Sequence, residues 1–211
     1  MSGPTKARRV YEALRDDVLE GRAAPGSVLD EVEIAAAFAV SRTPVREALR
    51  LLQSDGLLET GARRQLRVAE VSEVRRREVS VVRAALEAAA VDDVLRLRTE
   101  DDVDRLRLSV VKQRRAADAD DAQRFFELDE EFHRTLVAVA GMPMLAALLD
   151  QLGAFVRLTR FGLPTDAAHL TGLAAEHDTL LDLLEAGDPD RLRAALVAHI
   201  TRTDDRDGAA D

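Results

Sequence analysis

Apolar positions recur at helical spacing from the first segment onward. Val10, Leu14, Val18 and Leu19 line one face of a helix expected over residues 6–20, which Gly21 and Pro25-Gly26 stop. A short Ala-rich helix over 30–38 follows, then the connection Ala39-Val40-Ser41-Arg42. A second short helix is expected to start with Thr43 as N-cap and Pro44 at the first helical position, burying Val45, Ala48, Leu49 and Leu52. Beyond Asp55-Gly56, two apolar runs, Leu57-Leu58-Glu59 and Gln65-Leu66-Arg67-Val68, flank the basic turn Gly61-Ala62-Arg63-Arg64 and predict a β-hairpin. From Ser72 onward the pattern is helical throughout. Helices are expected over 73–98, 103–119 (with Thr99 to Asp102 as its cap), 121–140, 143–161, 166–186 and 190–203. The expected fold is therefore mainly α. An N-terminal winged helix-turn-helix, residues 1–71, precedes an all-α bundle of six or seven helices, residues 72–203, and a frayed tail, residues 204–211.

Composition agrees with helix packing. Of 211 residues 46% are hydrophobic and only 3% aromatic, and the absence of cysteine excludes a disulfide scaffold. No stretch reaches the roughly 18 to 20 uninterrupted apolar residues of a membrane span, and the opening residues lack an apolar signal segment, so a cytoplasmic protein without membrane partners is expected. The net charge of −9 argues against a nucleic-acid binder until its distribution is read. Residues 1–70 carry 11 Lys and Arg against 11 Asp and Glu, so the remainder, 19 against 28, holds the entire excess.

The front segment has a surface suited to DNA. Arg42, Arg46 and Arg50 fall at i, i+4 and i+8, a cationic stripe opposite the apolar side of the second short helix. Such a stripe contacts phosphates, and an arginine near the helix start can make a bidentate bond to guanine O6 and N7. The Thr43 hydroxyl and the free N–H groups around it add an anion-binding end, while Arg63, Arg64 and Arg67 give the hairpin a phosphate or minor-groove contact. An arginine run on an isolated helix is more often a solvated face; here the order of elements favours DNA.

The run Val40-Ser-Arg-Thr-Pro-Val-Arg-Glu-Ala-Leu49, continued by Leu51-Leu52-Gln-Ser-Asp-Gly-Leu57-Leu58-Glu59, resembles the DNA-binding domain of the GntR family of bacterial transcription regulators. The resemblance implies that Arg42 and Arg46 lead the base or phosphate contacts, with Ser41, Thr43 and Arg50 supporting. The chain departs from that family in having Ala39 where a glycine is usual.

Behind this segment, three of the four histidines lie on apolar stripes of different helices. Asp129 and His133 are i and i+4, flanked by Phe125, Phe132 and Leu136; His177 sits among Leu173, Leu180, Leu181 and Leu184; His199 follows Leu192 and Leu196. One such histidine is more often a satisfied core imidazole. Three with an aspartate point to a divalent cation, because a buried carboxylate needs a partner and a cation also uses neutral imidazoles. Three nitrogen donors and one oxygen suit Zn first, with Ni, Mn or Fe as alternatives, and leave one or two coordination positions open.

Asp129-Glu-Glu-Phe-His133, Glu176-His177, Gly187-Asp188 and Ala198-His199 resemble the FCD effector domain of the FadR-type branch of the GntR regulators. In that domain a helical bundle surrounds a cavity, and many members hold a metal with this aspartate and these histidines. The resemblance implies metal binding by Asp129, His133, His177 and His199. Arg83-Ala-Ala-Leu86-Glu87 matches the family's Arg-x-x-Leu-Glu element, and Arg83, beside Val79, Val82 and Leu86, either reaches inward to an effector carboxylate or snorkels from the bundle edge.

A divalent metal beside one aspartate leaves a formal charge of about +1, which a small organic acid would neutralise. The expectation is a ligand-responsive transcription regulator, a repressor, acting as a homodimer on an inverted-repeat double-stranded DNA operator, since one recognition helix makes too few contacts for useful specificity. Two other readings stand beside it: a metal-dependent enzyme using the His3Asp site, and a regulator whose metal is purely structural. The enzyme needs a base near the metal, and helical geometry turns Glu130 and Glu131 away from the Asp129/His133 face.

Overall fold

In the computed structural model, residues 5–62, 64–159 and 166–202 are described. Arg63, the end of the fourth expected bundle helix at Phe161 and the tail 204–211 lie outside them. The chain divides into two compact units, Met1–Ser72 with Ala154–Phe161, and Glu73–Gly153 with Gly162–Asp211.

The first unit contains α1 (Lys6–Leu19), α2 (Glu31–Ala37), α3 (Arg42–Ser54) and an antiparallel hairpin of β1 (Leu58–Thr60) and β2 (Leu66–Val68). Asp30 ends the chain's extended approach to α2 by accepting from the N–H groups of Val32 and Glu33 at 2.6 and 3.1 Å. The start of α3 differs from expectation. Its N-cap is Ser41 and helical geometry begins at Arg42, two residues earlier than the expected Thr43 cap and Pro44 start. Proline fits anywhere in the first turn, because none of the first four N–H groups has an intrahelical acceptor to lose. Gly56, at φ 72°, takes the left-handed turn out of α3, and Leu58↔Val68 and Thr60↔Leu66 set the hairpin register. Val10, Leu14, Val18, Ile34, Val45, Leu49, Leu52, Leu57 and Val68 form the core, joined by Leu158.

Among its described residues the second unit is all-α. Its helices are α4 (Glu73–Ala89), α5 (Val91–Leu97), α6 (Glu100–Asp118), α7 (Ala122–Val139), α8 (Pro143–Thr159, whose turns from Ala154 group with the first unit), α9 (Ala167–Ala186) and α10 (Pro189–Arg202). The single helix expected over 73–98 is two. The Ala90 N–H bonds to the Glu87 carbonyl at 3.1 Å, a three-residue closure that tightens the backbone between α4 and α5. Nothing in Glu87-Ala-Ala-Ala-Val91 marks that break in sequence. Conversely α6 begins three residues earlier than expected: Thr99 and Asp102 form a reciprocal capping box, so Glu100 to Asp102 are its first turn. Phe132, Leu136, Leu180, Leu181, Leu184, Leu196 and Ile200 centre the main core, and Phe125, Leu128, Leu170 and Leu173 a second cluster. No described helix is long and apolar enough to cross a membrane.

Candidate functional site

Asp129 and His133 stand one turn apart on α7, His177 comes from the middle of α9 and His199 from the last turns of α10. All four side chains are buried, and one ligand atom of each lies within 4.8 Å of all the others. The three Nε2 atoms converge: His133 to His199 is 3.2 Å, His177 to His199 3.1 Å and His177 to His133 3.4 Å. Asp129 Oδ1 is 3.4 Å from His177 Nε2 and 3.8 Å from His133 Nε2. Metal–nitrogen bonds of about 2.0–2.1 Å put neighbouring donors roughly 2.8–3.0 Å apart in octahedral and roughly 3.3–3.4 Å apart in tetrahedral coordination. The three nitrogens have edge lengths in that range, and Asp129 Oδ1 stands slightly wider, at 3.4 and 3.8 Å from two of them.

The outward nitrogens explain why the rings point this way. His133 Nδ1 meets Glu87 Oε2 at 2.6 Å, His199 Nδ1 meets Glu176 Oε2 at 2.7 Å, and His177 Nδ1 meets Gln113 Oε1 at 2.6 Å. A carboxylate only accepts, so His133 and His199 carry their protons on Nδ1. The Gln113 amide is oriented by its Nε2, which donates to the Leu128 carbonyl at 3.2 Å, and this leaves Oε1 to accept from His177. The neutral imidazoles therefore aim three Nε2 lone pairs at one point. Three acceptors facing one another cannot hydrogen-bond to each other, whereas a single cation can bind all three.

The electrostatics support that protonation pattern. Burial pulls the His133 pKa down from its usual value against the opposing charge of Glu87, and burial, with the His199 ring beside it, holds His177 well below its usual value. For Glu87 burial alone would raise the pKa, but its pairing with His133 and Arg83 outweighs that and holds the carboxyl at about 2. Glu176 is likewise below its usual range, the cost of burial being outweighed by its bond to His199 and by Arg202.

Arg83 is nearly buried, and its Nε donates to Glu87 Oε1 at 2.8 Å, so the carboxylate that orients His133 is itself fixed by Arg83. Glu87, Gln113 and Glu176 had no assigned role in the sequence reading. Their signal is a polar residue at a position of an apolar helical stripe: Val79, Ala84, Glu87 on α4 and Leu106, Val110, Gln113 on α6 are all buried. Glu130 is half-buried and Glu131 exposed, and neither belongs to the four-residue cluster. His169 is not in it either.

On the first unit, Arg42, Arg46 and Arg50 are exposed on α3 opposite buried Val45, Leu49 and Leu52. Ser41 and Thr43 are exposed beside them, and the Ser41 side chain makes no capping bond. Arg46 Nε and Arg42 Nη2 both donate to Glu31 Oε2, at 2.8 and 3.1 Å, and the bond to Arg46 leads the forces that hold the Glu31 carboxyl below its usual pKa. In the hairpin Arg64 is exposed at the left-handed φ of 58°, closing the turn by donating its N–H to the Gly61 carbonyl at 3.0 Å. Arg67 is engaged across the hairpin with Glu59 at 2.6 Å.

Two family sequence models match the chain: the FCD domain over residues 78–202 and the bacterial regulatory proteins of the gntR family over residues 6–68. The chain is a GntR-family transcriptional regulator with an FCD domain. Such a regulator binds DNA through the winged helix-turn-helix and is not an enzyme. It is 30% identical to the HTH-type transcriptional repressor RspR of Escherichia coli (strain K12), across 92% of this chain and 85% of that protein. It is 31% identical to a protein of Paenarthrobacter nicotinovorans named "Probable D-xylose utilization operon transcriptional repressor", across 93% of this chain and 86% of that one. The solved structure of E. coli McbR/YncC shares the regulator's fold, with a TM-score of 0.75 at 24% identity over 94% of this chain and 95% of that one. A GntR structure from Rhodococcus sp. RHA1 does so with a TM-score of 0.80 at 22% identity, over 95% and 96%.

Proposed function

We propose that this regulator is a cytoplasmic repressor whose residues 1–71 bind an inverted-repeat operator as a homodimer and whose residues 72–203 bind a small organic acid at a divalent metal. Asp129, His133, His177 and His199 hold the metal, Zn first among the candidates. The carrying observation is the convergence of three Nε2 atoms at 3.1–3.4 Å with each outward nitrogen held by Glu87, Gln113 or Glu176. Four protein donors satisfy a tetrahedral metal and leave up to two positions of a larger coordination shell for a carboxylate. The residual positive charge favours an anion, and Arg83, fixed beside Glu87, is the nearby cation for its second oxygen.

On the DNA side, Arg42 and Arg46 read bases or phosphates, Ser41, Thr43 and Arg50 support them, and Arg63 and Arg64 serve the wing. The exposure of the α3 arginines opposite the core and the repressor names of two relatives support this assignment. A ligand changes DNA affinity only by binding the competent and incompetent states unequally, and couplings of about 1–3 kcal/mol are usual. The test is elemental analysis of gently purified protein, followed by operator titration with a panel of sugar acids, hydroxy acids and dicarboxylates. About one divalent metal per chain and an acid response abolished by chelation are expected. A response that survives metal removal places the effector elsewhere, and metal without any acid response leaves a purely structural ion.

A further inference from the structure

Two arginines assigned to DNA converge on one carboxylate oxygen of their own unit. Glu31 lies in the first turn of α2 with a side chain 30% exposed, whereas the Arg42 and Arg46 side chains are 56% and 55% exposed. Both donate to Glu31 Oε2, Arg46 through Nε at 2.8 Å and Arg42 through Nη2 at 3.1 Å. An exposed arginine otherwise explores many rotamers, and ordering it at an interface costs conformational entropy. Tied at Nε, Arg46 keeps its two terminal amino groups free and side by side, the edge that makes an end-on fork to guanine O6 and N7. Its guanidinium plane and reach are set before DNA arrives.

The same carboxylate has a second effect. It places a negative charge among cations that face a polyanion, cancelling part of the attraction that any duplex would feel. We propose that Glu31 is a positioning residue for base readout, holding Arg46 and Arg42 in reading geometry while lowering the regulator's affinity for unrelated DNA. Operator discrimination gains on both counts. The proposal rests on the assignment of Arg46 as a base-reading residue, and its test is arranged to separate the two.

Full-length wild type, Glu31→Gln and Arg46→Ala are each used to select duplexes from a randomised pool. Binding is then measured to the wild-type-selected duplex and to its shuffled counterpart, with thermal stability recorded in parallel. Glu31→Gln keeps the size of the side chain and removes its charge. It should bind the shuffled duplex as tightly as wild type or better. The selected-to-shuffled affinity ratio should fall about five- to tenfold, the lower range of one bidentate base contact. Its selected motif should lose preference at the base pair that Arg46→Ala also loses. If Glu31→Gln raises both affinities equally, Glu31 is only a competitor that DNA displaces, and the proposal fails. A lowered melting temperature with both affinities reduced makes Glu31 a tie between α2 and α3, which also overturns it. If Arg46→Ala itself leaves the motif unchanged, the reading of Arg46 is wrong and the proposal falls with it.

Discussion

Replacing Gln113 with leucine tests whether the outward nitrogen of His177 governs metal binding. Gln113 is fully buried; its Oε1 accepts from His177 Nδ1 at 2.6 Å and its Nε2 donates to the Leu128 carbonyl at 3.2 Å. Leucine fills similar space but accepts nothing. The Leu128 carbonyl keeps the Ser109 hydroxyl as a donor at 3.3 Å, so the main loss falls on His177. A buried N–H without an acceptor costs about 1–3 kcal/mol. The imidazole escapes that cost by moving its proton to Nε2, where Asp129 Oδ1 stands 3.4 Å away. That tautomer presents a hydrogen to the metal position, so binding an ion must first reverse it. Metal affinity should fall about 10- to 100-fold, the usual effect of removing a partner that orients a ligating histidine. Competition for Zn between the metal-free protein and a chromophoric chelator measures the change. Gln113→Glu restores an acceptor at the same atom and, protonated on its other oxygen, keeps a donor to the Leu128 carbonyl, so it should recover most of the affinity that leucine loses. Wild-type affinity in the leucine variant, or an equal loss in the glutamate variant, refutes the reasoning.

Other perturbations have equally defined outcomes. Ala39 is exposed at φ 51°, a left-handed conformation that costs a non-glycine residue roughly 1–2 kcal/mol, so Ala39→Gly forfeits no burial and relieves strain. After about 0.4–1 kcal/mol for the greater freedom of unfolded glycine, a net stabilisation of about 0.5–1 kcal/mol should appear in chemical denaturation of the DNA-binding unit; a destabilised variant contradicts it. Arg46→Ala should lose about 1–3 kcal/mol for its preferred duplex, whereas Arg64→Ala should weaken all duplexes alike and flatten the salt dependence by about one unit, both read from binding isotherms at several salt concentrations. The metal-free protein should lose stability as pH falls below about 6.5. There the unfolded histidines take up protons, while His133 and His177, whose folded pKa values are depressed, resist them until lower pH. A flat melting temperature between pH 7.5 and 5.5 would exclude buried neutral imidazoles.

The period of apolar residues determined most elements by itself. A helix buries one stripe whatever it packs against, so Val45, Leu49 and Leu52 reveal α3, and the arginines opposite them follow without knowledge of a partner. The same holds for the four-residue cluster: each histidine announces itself as a polar side chain on an apolar stripe, and Asp129 as its one-turn neighbour. Local chemistry placed most boundaries within a residue or two, but the capping box at Thr99 and the N-cap at Ser41 shifted two of them. The break at Ala90 had no local signal, because alanines accept both the helical and the tightened closure and packing chooses between them. What only the tertiary structure decided is which polar groups meet. Glu87 and His133 are 46 residues apart, Gln113 and His177 64, Arg46 and Glu31 15, and no periodicity along one helix encodes how far round and along another it is docked. That docking is set by the summed fit of apolar side chains, and the hydrogen bonds then select, from the residues it brings together, the tautomer of each imidazole and the direction of each guanidinium.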